Sequence, residues 1–160
     1  MGGGSAACVT LRLTPTDHPD LLALVGELDA FFRLEWGQAA ERYQPHHNLK
    51  SMACAVVAYV DGKPAGCGCW KPLDSRTAEI KRMYVRPAFR RKGVAARVLV
   101  TLEENAKARG RTSAVLETGA EMVGALCFYR AMGYRLVPNY GDFVGDSLCV
   151  CMKKEFPAEE

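Results

Sequence analysis

Residues 78–109 read as a strand, a basic turn and a helix, and this unit constrains the fold more than any other stretch. Residues 78–85, Ala-Glu-Ile-Lys-Arg-Met-Tyr-Val, form an extended segment that stops at Pro87. Phe89, Arg90, Arg91, Lys92, Gly93, Val94 and Ala95 follow, and residues 96–109 have helical character up to Gly110. A strand that turns through a glycine-containing loop into a helix leaves backbone N–H groups pointing at one spot. Those donors, the positive end of the helix dipole and the local cationic side chains make an anion site suited to a phosphate or pyrophosphate.

The flanking segments extend this unit into a layered α/β domain. Residues 8–13 alternate apolar and polar and predict a first strand. The turn from Pro15 to Pro19 carries capping residues and opens a helix over about 20–32, with Leu21, Leu24, Val25, Leu28 and Phe32 at helical spacing. Residues 36–48, with Trp36, Tyr43, His46 and His47, predict a second short helix and a loop. Residues 53–60 and 65–70 flank Asp61-Gly62, a hairpin signal. Residues 112–118 read as a strand, 121–132 as a helix closed by Gly133, and 147–153 as a last strand. The expected fold class is a mixed α/β sandwich: one central, mostly antiparallel twisted sheet of about six or seven strands, with helices on both faces. One domain over 8–156 follows a flexible tail at 1–7.

A chain of 160 residues can bury the core of one such domain. Its net charge of +3 is too small for a surface that binds nucleic acid through dispersed basic charge. The basic residues cluster instead, with Lys81, Arg82, Arg86, Arg90, Arg91 and Lys92 around the anion loop. Seven cysteines show no CxxC spacing, so buried free thiols in a reducing, cytoplasmic setting are expected and a metal site is not. Cys67 and Cys69, and likewise Cys149 and Cys151, would share a strand face. No apolar run approaches the roughly 18 residues that span a bilayer, the start has no secretory pattern, and Ala6 argues against myristoylation at Gly2.

Arg90, Gly93 and Ala95 satisfy an Arg/Gln-x-x-Gly-x-Gly/Ala loop, preceded by Met83-Tyr84-Val85 and followed by a helix from Val94. Downstream, Phe128-Tyr129-Arg130-Ala131-Met132-Gly133-Tyr134 ends a helix in Tyr-x-x-x-Gly-Tyr. In these motifs and in element order the chain resembles the GNAT superfamily of acyl-CoA-dependent N-acyltransferases over roughly residues 9–156. The resemblance implies the GNAT fold and acetyl-CoA as cosubstrate. Met83, Tyr84, Val85, Arg90, Arg91, Lys92, Gly93, Val94, Ala95 and Ala96 would bind the coenzyme. Gly93 admits the pyrophosphate, and the strand carrying Met83 diverges at a bulge to pair with pantetheine amides. Met122 stands where many relatives place an Asn or Gln.

Acyl transfer to an amine needs a neutral nucleophile, a polarised carbonyl and a proton for the leaving thiolate. The resemblance places Tyr129 as general acid, against the alternative of a packing residue. Glu79 is the candidate general base, directly or through water, against a surface carboxylate paired with Lys81. Glu117 is its candidate neighbour at the acceptor end, with Tyr140 and Asp142 as a candidate lid. His46 and His47 are either substrate contacts or solvent-exposed. The expected activity is transfer of acetyl to a primary amine of a small molecule, such as an amino acid. A protein or peptide amine is the alternative acceptor, and a non-catalytic acyl-CoA-binding module is the other class. No nucleic-acid or membrane partner is expected, and a homodimer stays open.

Overall fold

The computed structural model describes residues 8–41 and 48–158. The expectations for the tail at 1–7 and for Tyr43, His46 and His47 lie outside the described residues. Seven strands, β1 (Val9–Thr14), β2 (Cys54–Val60), β3 (Lys63–Pro72), β4 (Thr77–Val85), β5 (Ser113–Gly119), β6 (Arg135–Val137) and β7 (Cys149–Glu155), form one sheet. Their order is β1-β2-β3-β4-β5-β7-β6. Every pairing is antiparallel except β4 with β5, as the mixed α/β expectation requires.

Helix α1 (Pro19–Trp36) covers one face of the sheet, and α2 (Val94–Ala108) and α3 (Val123–Ala131) cover the other. Each helix is placed by its own apolar stripe. Leu21, Leu24, Val25 and Leu28 recur at helical spacing on α1 and pack against Ala55, Val57, Cys67 and Cys69. His18 caps α1 by accepting from the Asp20 N–H through Nδ1 at 3.1 Å, and Pro19 occupies the first turn. On the opposite face, Val98, Leu99 and Leu102 of α2 pack on Val56, Trp70 and Ile80. Gly68 makes this close approach feasible: a Cβ there would sit 2.6 Å from Met83 Sδ and 2.8 Å from Leu102 Cδ1.

The β2–β3 hairpin turns at Asp61 and Gly62, both with positive φ, as the Asp-Gly pair predicts. Helix α1 runs four residues past the predicted Phe32, through Trp36, and among the described residues two 3₁₀ turns, over 37–41 and Leu49–Ser51, follow it before β2. Strand β6 escapes sequence reading altogether, because three residues are too few to show alternation. Cys67 with Cys69 and Cys149 with Cys151 do share faces, all four buried and outside any disulfide.

The sheet is interrupted at its centre. Opposite Gly68, β4 carries an extra residue, and Arg82 takes φ +60° there. On its other side β4 pairs with β5 only from Thr77 to Glu79. Beyond Glu79 the two strands separate, so Ile80–Val85 have no partner strand on the β5 side. The divergence expected at Met83 is therefore present, and it opens a slot through the sheet.

Candidate active site

The slot is lined from both faces. A cavity of about 180 Å³ has walls from α1 (Leu28, Phe32, Trp36), from β4 and β5 (Lys81, Arg82, Glu117) and from α3 (Met122, Tyr129). A second cavity, about 150 Å³, lies towards α2 and α3 and is bounded by Met83, Tyr84, Val85, Ala95, Phe128 and Tyr129. Met83, Ala125 and Tyr129 belong to both walls. Strand alternation explains the two sides. Ala78 and Ile80, with Ala114 and Leu116, face α2, whereas Glu79, Lys81 and Glu117 face the α1 side.

The basic turn begins with a 3₁₀ segment at Pro87–Phe89. Arg91 then adopts φ +64° and Gly93 φ +76°, and Gly93 is the N-cap of α2. Arg97 donates the first rung of the helix ladder to Gly93 O at 3.2 Å, so the N–H groups of Val94, Ala95 and Ala96 precede the ladder. A Cβ on Gly93 would meet nothing within 4 Å, leaving open space over these donors. Arg90, Arg91 and Lys92 are exposed around it, and Arg90 Nε donates to Val85 O at 3.1 Å. These residues fit a pyrophosphate.

The six-residue basic cluster seen in sequence divides in the structure. Lys81, Arg82 and Arg86 are committed internally, to Glu79 at 3.4 Å, Asp29 at 2.6 Å and Glu27 at 2.6 Å. Arg90, Arg91 and Lys92 remain exposed at the loop.

Tyr129 is buried where the two cavities meet, and its ring lies 5.8 Å from that of Tyr134. Burial, and then the charge of Glu117, push its phenol above the ordinary tyrosine value, so it holds its proton at neutral pH. Glu117 lines the first cavity. Desolvation lifts its carboxyl to about 7; Lys81 pulls it down, while Glu79 and Asp146 push it up.

Glu79 is differently placed. It is 3% exposed, accepts from Tyr140 Oη at 2.5 Å, and lies 3.4 Å from Lys81 Nζ and 3.8 Å from Lys71 Nζ. It does not line the cavity. Tyr140 is tied to Glu79 and stacks edge-on against Phe143 at 5.7 Å, while Asn139 Nδ2 donates to the carbonyls of Phe143, Asp146 and Cys149. Tyr140 is thus pinned to Glu79 in this structure, and Asp142 beside it is exposed to solvent. Met122 is the N-cap residue of α3 and contributes a thioether to the cavity. The α1 residues Leu28, Phe32 and Trp36 were not among the predicted site residues. Their spacing over two turns of one helix was the available signal. No helix among the described residues is long and apolar enough to cross a membrane, and no metal-binding cluster of His, Cys, Asp and Glu occurs among them.

Known proteins resemble this chain in architecture and in sequence. The family model described as Acetyltransferase (GNAT) family matches residues 21–134. The uncharacterized N-acetyltransferase YsnE of Bacillus subtilis is 39% identical over 93 residues, 57% of this chain and 62% of that protein. The chain thus spans less than two thirds of that relative's length. A crystal structure from Klebsiella pneumoniae, described as an acyl-CoA N-acyltransferase, is 25% identical with TM-score 0.77, covering 92% of this chain and 97% of that one. A GNAT family acetyltransferase from Elizabethkingia anophelis, solved with acetyl-CoA bound, is 19% identical with TM-score 0.69, covering 92% and 98%. The through-sheet slot beside a basic glycine turn is thus built on a known frame, and the chain belongs to the acetyltransferase (GNAT) family.

Proposed function

We propose that the chain transfers acetyl from acetyl-CoA to the primary amine of a small molecule by direct attack in a ternary complex. The observation that carries this reading is the slot between β4 and β5, with an anion-binding turn on one side and a titratable carboxylate on the other. Arg90, Arg91 and Lys92 supply charge to the coenzyme phosphates, and the N–H groups of Val94, Ala95 and Ala96 supply hydrogen bonds. The unpaired edge at Met83, Tyr84 and Val85 takes the pantetheine arm as an added strand. That a relative of the same fold was solved with acetyl-CoA bound supports acetyl-CoA as the cosubstrate.

The base role falls to Glu117 rather than Glu79. A base must reach the proton it removes. Glu117 lines the cavity and titrates near neutrality, whereas Glu79 is enclosed by Tyr140, Lys71 and Lys81. Glu117 accepts the ammonium proton and later passes it to solvent. The neutral amine nitrogen forms a C–N bond to the thioester carbon, and the C–S bond breaks. Tyr129 donates its proton to the departing thiolate, and the second N–H proton leaves the nitrogen to restore the proton that Tyr129 gives up. Glu79 positions Lys81 and Tyr140. Seven free thiols suit a reducing cytoplasm.

The test is release of coenzyme thiol from acetyl-CoA against a panel of amino acids, amines, polyamines and peptides. Turnover on small amines supports the proposal. Turnover on peptides alone moves the acceptor class, and acetyl-CoA binding without turnover on any acceptor overturns catalysis.

A further inference from the structure

The acceptor side of the slot has a composition that selects among amines. Its outer wall is apolar and aromatic: Leu28, Phe32 and Trp36 lie on one face of α1, and Leu148 faces them. Phe32 and Trp36 pack with ring centroids 5.1 Å apart and planes tilted by 36°. An apolar cavity of about 150 Å³ accommodates a benzene-sized guest, so the 180 Å³ here admits one such group beside the reacting atoms.

The charged lining is unusual for a site that must receive a cation. Among the described residues it contains two cations, Lys81 and Arg82, and one carboxylate, Glu117. Lys81 is 6% exposed, shares Glu79 with Lys71, and sits 5.3 Å from the Phe143 ring centroid. Arg82 is 4% exposed and is tied by Nη2 to Asp29 and to Val25 O. Its Nε and Nη1 are buried with no hydrogen-bond partner. Guanidinium donors left unpaired in a buried setting are costly and are normally satisfied by an anion. With Glu117 protonated, Lys71, Lys81 and Arg82 stand against Glu79, Asp29 and Asp146, so the charges balance, while Arg82 Nε and Nη1 still lack an acceptor. A second ammonium on the substrate would meet Lys81 and Arg82 unfavourably, whereas a carboxylate would supply the acceptor that the guanidinium lacks.

Resting on the acetyltransferase reading above, we propose that the acceptor is an amino acid with an apolar side chain. Its carboxylate is held on the Lys81 and Arg82 side, its amine meets Glu117, and its side chain lies against Leu28, Phe32 and Trp36.

The experiment compares kcat/KM, by coenzyme thiol release, for matched pairs with and without the carboxylate: L-phenylalanine against phenethylamine, and L-leucine against 3-methylbutylamine. Spermidine and L-aspartate complete the set. The expected result is a preference of about tenfold or more for each amino acid over its matched amine, with spermidine and aspartate poor. Equal or better turnover of the matched amines, or spermidine as best acceptor, overturns this inference while leaving the acetyltransferase reading in place. No thiol release with any small amine overturns both. Lys81→Gln should raise KM for phenylalanine and narrow the gap to phenethylamine while acetyl-CoA affinity holds; an undiminished gap removes Lys81 from the carboxylate site. If that variant does not fold, Trp36→Ala on the half-exposed rim gives the second reading. It should raise KM for phenylalanine about tenfold and leave KM for acetyl-CoA unchanged, and equal KM values for phenylalanine would refute the apolar wall.

Discussion

Replacing Glu117 by Gln should make the protein more stable and less active at once. The carboxyl titrates near 7 because burial in the slot disfavours its charged form, and the nearby Lys81 ammonium recovers only part of that loss. Below about pH 4.5 the group is protonated in both folded and unfolded chains and costs nothing. Between about 4.5 and 7 the unfolded chain ionises while the fold retains the proton, so stability falls as pH rises. Above 7 the full penalty persists, about 3 kcal/mol for a carboxyl raised from 4.5 to about 7. Glutamine occupies the same space without charge, so at pH 8 the variant should gain up to about 3 kcal/mol, or about 5–10 °C in Tm. At pH 4 the two proteins should melt together. Thermal unfolding followed by circular dichroism at the two pH values measures this directly. In the thiol-release assay the variant should lose about 10²- to 10⁴-fold in kcat/KM. The rising limb through pH 7 expected of the parent should disappear with it. A variant no more stable than the parent at pH 8, or one that keeps that limb, would refute the assignment of Glu117 as a buried, functional base.

Other residues give independent tests. Tyr129→Phe should reduce turnover by about 10²-fold while acetyl-CoA affinity, measured by calorimetry, stays within about twofold; unchanged turnover removes its role as acid. Gly93→Ala should cost about 1–2 kcal/mol in denaturant unfolding because φ is +76° there, even though the added methyl meets no neighbour. It should also weaken acetyl-CoA binding. Gly68→Ala should destabilise by about 1–3 kcal/mol, since the new methyl would overlap Met83, Leu102 and Val98. Tyr134→Phe removes the 2.7 Å hydrogen bond to buried Glu103, which is left with Lys154 at 3.0 Å. That change should cost about 1–3 kcal/mol in the same measurement without altering KM for either substrate.

The donor half of this site was legible in sequence because backbone makes it. A strand, a glycine turn and a helix start suffice to aim N–H groups, and residues 78–109 declare all three locally. The acceptor half depends on side chains brought from three distant segments. Alternation places Glu79 and Glu117 on one sheet face, but nothing local says which faces a cavity. That is decided by Tyr140, sixty-one residues further on, and by Lys71, which together enclose Glu79. Leu28, Phe32 and Trp36 carry the ordinary signature of a helix packing face, and only the parting of β4 from β5 turns that face into a wall. The positive φ of Arg82 was equally hidden, since arginine gives no hint of left-handed backbone.

A slot that passes through a sheet has two doorways. On the proposed function the coenzyme would reach it past α2 and α3, and the acceptor past α1, so neither substrate would need to leave for the other to arrive. Initial-rate patterns should therefore intersect rather than run parallel. An inhibitor that joins an amino acid to coenzyme A through a two-carbon bridge should thread the sheet, compete with both substrates, and bind far more tightly than either portion alone.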